Sequence, residues 1–99
     1  MTAAVQPEDT PADRVASAAL PVPGVTGLHA GSFGEVGTYL VGRQVRGVRL
    51  RPEGAEVHVT VAMGRPLLEV AQAVRAAVAP LVGGEVTVVV EDVSPTRTG

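Results

Sequence analysis

The residues that could carry chemistry are few. Arg43, Arg46, Arg49 and Arg51 form the one dense cationic cluster, with Tyr39 just upstream. Guanidinium groups grip carboxylates and phosphates through paired N–H donors. The cluster therefore suits an acidic protein surface, an anionic lipid headgroup or RNA. A solvated, salt-bridged strand face would use the same residues, and the sequence leaves both alternatives open. These five residues are the candidate partner surface.

The remaining reactive side chains form no constellation. His29 and His58 are the only histidines, and there is no cysteine. A structural or catalytic zinc site needs more nitrogen or sulfur ligands than that, so His58 reads as a surface histidine beside Glu56 and Thr60. Ser17 and Ser32 lie in no motif that would pair a nucleophile with a histidine base. Glu91-Asp92 reads as the solvated end of a strand. No lysine is present, which excludes a P-loop, and the dinucleotide-binding glycine pattern is absent. The expectation is a protein with no catalytic residues, no cofactor and no metal.

Seven of the 12 glycines fall between Gly24 and Gly47, in a stretch that also holds Phe33, Tyr39 and His29. Glycine at this density points to sharp turns and close backbone approaches. Gly31–Gly34 reads as a turn. Its backbone N–H groups acting as an anion cradle is the alternative.

Composition bounds the rest. Ninety-nine residues suit one domain. Hydrophobic residues make up 45% of the chain but aromatics only 2%. Packing must therefore rest on valine, which favours sheet. The formal net charge is −2, unlike the strongly basic balance of a nucleic-acid binder. All cationic residues are arginine, and Lys, Asn and Ile, whose codons are AT-rich, are absent. This points to a GC-rich, bacterial genome. There is no signal-peptide pattern. The longest apolar stretch, residues 76–84, is interrupted by Pro80 and is too short to span a bilayer. A soluble, cytoplasmic protein is expected, with any membrane contact made through a partner.

These side chains need elements to position them. Thr10-Pro11-Ala12-Asp13 starts a helix, with Thr10 as cap and Asp13 as its capping-box partner. Ala12, Val15, Ala16, Ala19 and Leu20 continue it until Pro21 and Pro23-Gly24 stop it. Residues 25–30 and 37–41 read as short strands around a loop. From Val45 to Arg51 a strand is expected, although Arg46 falls on its apolar parity. Pro52-Glu53-Gly54 turns it into Val57, Val59 and Val61, which alternate with Glu56, His58 and Thr60, forming a hairpin. Arg49 and Arg51 then face Glu56 and His58 as cross-strand pairs. Leu67, Val70, Ala71, Val74, Ala77, Val78 and Leu81 make a helical stripe that ends near Pro80 and Gly83-Gly84. Val86–Val90 is a final strand, with Val89 pointing away from its apolar set.

The fold class read from this order is α+β, a small single domain with helix, short strand, strand, strand, helix, strand. One mixed sheet of three or four strands carries two helices on one face. The domain is expected over residues 10–93, with disordered tails at 1–9 and 94–99.

Four blocks of this chain resemble the alkaline-shock protein family of Gram-positive envelope stress response proteins. Residues 14–28, R-V-A-S-A-A-L-P-V-P-G-V-T-G-L, are similar to the family's opening helix and V-P-G-V turn. Residues 47–61 resemble its hairpin, 64–78 its G-x-x-L-x-E-V-A helix, and 84–93 its last strand. The segment T-Y-L-V-G-R resembles a short actinobacterial-type branch. The resemblance implies a non-enzymatic interaction module that self-associates as a homo-oligomer. It also implies recruitment to the inner membrane face by a membrane-anchored relative. The alternative function is RNA or other polyanion binding through the Arg43–Arg51 cluster.

Overall fold

The computed structural model describes residues 10–95. Thr10 caps α1 (Pro11–Ala19), and a complete capping box joins its side chain to the Asp13 N–H and the Asp13 carboxylate to its own N–H. The chain then runs through β1 (Val25–Leu28), β2 (Gly37–Leu40), β3 (Arg43–Arg46), β4 (Val48–Arg51), β5 (Gly54–Ala62), α2 (Leu67–Val78) and β6 (Glu85–Ser94). A 3-10 turn over Ala79–Leu81 absorbs Pro80 directly after α2, since proline cannot donate the N–H an α-helix needs there.

The nine-residue β5 is the axis of the main sheet. β6 pairs with it in parallel along its whole length, from Gly54 opposite Glu85 to Ala62 opposite Ser94. The connection between them runs through α2, as a parallel crossover requires. On the other edge, β4 pairs antiparallel with the first half of β5 and β1 with the second half. The final strand extends to Ser94, one residue past the expected end of the domain. The expected terminal tails otherwise lie outside the described residues.

Alternation sorts β5 into two faces. Val57, Val59 and Val61 are fully buried beneath Val15 and Ala19 of α1 and Val70, Val74 and Val78 of α2. Both helices thus cover one face, as the sequence pattern predicts. Each buried valine contributes on the order of 1.5–3 kcal/mol of transfer free energy. The α2 stripe is narrower than its periodicity implies. Its buried row is Val70, Val74 and Val78, while Leu67 and Leu81 are exposed, because a short helix on a flat sheet buries one i, i+4 ridge.

The strand expected from Val45 to Arg51 is two strands. Gly47 breaks it at φ +80. Its N–H donates to the Val36 carbonyl at 3.0 Å and its carbonyl accepts from the His58 N–H at 2.8 Å. A Cβ there would stand 2.9 Å from both the His29 nitrogen and the His58 carbonyl oxygen. Only glycine fits such a crossing. The break resets side-chain parity, which explains Arg46. That residue belongs to β3, which pairs with β2 in a separate two-stranded sheet.

Candidate interaction surface

The four arginines do not form one patch. Arg43 lies on the inner side of the β2–β3 hairpin, where its Nη1 and Nη2 donate to the Asp13 carboxylate at 2.9 and 2.6 Å. Arg46 is exposed on the opposite side, on the same hairpin face as Tyr39. Register places Tyr39 against Gln44, and Arg46 against Gly37. Arg49 and Arg51 stand on the outer face of the main sheet, 3.5 and 3.1 Å from the Glu56 carboxylate, as the cross-strand pattern predicts. Arg49 also donates to the Glu35 carbonyl at 3.0 Å. The sequence cluster is therefore divided among three surroundings, because Gly47 turns the chain from one sheet into the other.

The outer face is a ladder of charge across β4, β5 and β6. His58 Nε2 lies 3.4 Å from Glu56 Oε1, and Nδ1 lies 2.5 Å from Glu91 Oε2. His58 is only 8% exposed, which corrects its expected place at the surface. The crossing of His29 and Gly47 on its backbone, and the two flanking carboxylates, cover it. A neutral imidazole donates from only one nitrogen, whereas the charged ring donates from both. Burial pushes the Glu56 carboxyl up, but the hydrogen bond from His58 and the charges of Arg51 and Arg49 outweigh this. The group sits below the usual carboxylate range. The hydrogen bonds of Arg43 and then Thr10 likewise hold the Asp13 carboxyl low.

Glu91 is not simply a solvated strand end. Val59 pairs with Val90 and Thr60 with Asp92, so Glu91 is the extra residue of a β-bulge. The bulge aims its carboxylate at His58. The signal was present in the valine spacing, since Val86, Val88 and Val90 share a parity that Val93 breaks. Further along the face, the hydroxyls of Thr26, Thr60 and Ser94 join β1, β5 and β6 at 2.7 and 3.0 Å.

The edge of the sheet is the larger opportunity for contact. β6 hydrogen-bonds to β5 on one side, and among the described residues no strand covers its other side. This edge is ten residues long. Val86-Thr87-Val88-Val89-Val90 at its centre carries no charge, and Val89 is half-buried on the outer face. An unpaired row of backbone donors and acceptors is a template for another strand. The bulge at Glu91 and the neighbouring Asp92 confine that template to the first part of the strand.

Among the described residues, no group of three or more His, Asp or Glu side chains could hold a metal ion, and no helix is long and apolar enough to cross a membrane. Comparison with protein-family models, with curated proteins and with solved structures gave no match.

Proposed function

We propose that this chain is a non-enzymatic interaction module of the alkaline-shock type its motifs resemble. It works by adding a strand from another molecule to the open edge of β6. The observation that carries this reading is the length of that edge and its uncharged centre. The order of elements, with V-P-G-V as the helix-to-strand joint, supports the resemblance. The first partner is a second copy. An antiparallel pairing around a two-fold axis at Val88 sets Val86 against Val90 and Thr87 against Val89, a span that ends before the bulge and carries no charge. A membrane-anchored relative presenting the same edge would recruit the protein to the inner membrane face by the same ladder.

The test is to place a lysine on the edge. Thr87 is exposed, so Thr87→Lys leaves the core intact while blocking strand addition. Sedimentation velocity is expected to show the parent chain as a dimer or larger, and measurably weaker association in Thr87→Lys. A parent chain that is monomeric at all concentrations contradicts the reading. Polyanion binding is the weaker alternative, because Arg43 faces Asp13, and Arg49 and Arg51 face Glu56. A titration with single-stranded RNA across salt concentrations measures it.

A further inference from the structure

Phe33 is the only phenylalanine, and it is 90% exposed. It does not hang on a loose loop. The Gly34 N–H closes a turn on the Gly31 carbonyl at 3.1 Å, and the Val36 N–H donates to the Ala30 carbonyl at 2.8 Å. The Phe33 N–H donates to Glu35 Oε1 at 3.1 Å, and the Gly31 N–H donates to His29 Nδ1 at 2.9 Å. The braced turn lowers the backbone-ordering cost of docking the exposed ring.

A complementary hollow lies elsewhere on the same molecule. Pro23, Pro66, Val70 and Ala73 line a groove of about 180 Å³ at the start of α2, with Arg65 and Glu69 beside them. Gly24 keeps it open. At φ +96 it turns the chain under Arg65, and a Cβ there would meet Val70 Cγ2 at 2.7 Å. The groove does not hold its own Phe33, which is 90% exposed. Pro23 precedes β1 and the tip follows it, and four extended residues separate them by about 13 Å along the strand.

We propose that Phe33 of one copy seats in the Pro23–α2 groove of the next, with Glu35 beside the tip meeting Arg65 at the rim. Apolar ring fits apolar lining, and the carboxylate of the tip selects the arginine side of the groove over the Glu69 side. Knob and hole are different surfaces, so the contact is heterologous and repeats from copy to copy. It is independent of pairing through β6. The two together give a branched assembly.

The experiment uses full-length chains carrying Thr87→Lys, so that the strand edge is blocked. Sedimentation velocity is expected to show continuing concentration-dependent association of this parent beyond a dimer. Phe33→Ser removes the knob and Ala73→Arg fills the groove. Each is expected to weaken association at least about tenfold, as removing one buried aromatic ring implies. A mixture of the two variants restores a single intact knob-and-groove pair and yields a one-to-one dimer that grows no further. Arg65→Glu is expected to weaken association by less than Phe33→Ser does, since an exposed charge pair contributes little, and adding Glu35→Arg to it is expected to recover part of that loss. A monomeric Thr87→Lys parent, single variants that associate like that parent, or a mixture that stays monomeric overturns the proposal. Loss of association in Phe33→Ser with no effect of Thr87→Lys supports the knob-and-groove pairing and removes the edge-pairing reading.

Discussion

Arg43 places Nη1 and Nη2 2.9 and 2.6 Å from the two carboxylate oxygens of Asp13, so one fork ties the β2–β3 hairpin to the cap of α1. Asp13 also completes the capping box with Thr10. A single carboxylate therefore holds the start of a helix and the seat of a second sheet.

Acid stability should depend on that carboxylate. Its folded pKa lies below the ordinary value of 3.8. A depressed carboxylate contributes stability above its unfolded pKa, and the contribution is lost as pH falls through the folded one. Glu56 shifts in the same direction from 4.5. Urea unfolding is expected to show stability falling as pH drops below about 4. Asp13→Asn should be less stable at neutral pH and show a shallower acid limb. It should also speed amide exchange in residues 37–46. An acid limb unchanged in Asp13→Asn contradicts this assignment.

Two glycines with nearly the same backbone should differ in cost. Gly47 and Gly42 have φ +80 and +78. A Cβ on Gly42 meets nothing within 4 Å, whereas one on Gly47 meets backbone of His29 and His58. Gly42→Ala should cost about 1 kcal/mol of left-handed strain. Gly47→Ala should cost at least about 2 kcal/mol, because the crossing strands must also shift. Equal costs in chemical denaturation would show that the crossing is not tight.

Glu91 sits 2.5 Å from the Nδ1 atom of a buried histidine. Truncation to alanine leaves that nitrogen without its closest partner. Glu91→Ala should cost about 1–3 kcal/mol, against at most about 1 kcal/mol for its exposed neighbour Asp92→Ala, whose carboxylate accepts only from the adjacent Val93 N–H at 2.8 Å. A thermal or urea melt that ranks them the other way removes the bulge carboxylate from the stabilising network.

Two apolar positions on different faces of α2 offer a packing test. Val74 is fully buried, whereas Leu68 is 70% exposed. Val74→Ala should cost about 2 kcal/mol or more through lost transfer energy and a residual cavity. Leu68→Ala should stay within about 0.5 kcal/mol. Denaturant midpoints at constant slope provide the comparison.

Much of this architecture was legible in residue order. Alternation in Val57, Val59 and Val61 and the i, i+4 row of α2 both report burial directly, and the Thr10–Asp13 box marks its helix start. The break at Gly47 was not legible, because a left-handed glycine inside an alternating strand pattern leaves no mark on periodicity apart from the misplaced parity of Arg46. The arginine cluster was misleading for the same reason. Nearness along the chain does not survive a turn between sheets, so Arg43 reaches Asp13, thirty residues back, and Arg49 stays with Glu56. The bulge at Glu91 was written in the valine parity. Its consequence for His58 depends on a parallel pairing that no local pattern specifies.

Addition of a strand from another copy to the β6 edge should be visible in residue-resolved amide exchange of the full chain at low and high protein concentration. Protection within Glu85–Val90 is expected to rise with concentration, and the rise is expected to disappear in Thr87→Lys. Exchange across β6 that is identical at both concentrations contradicts strand addition.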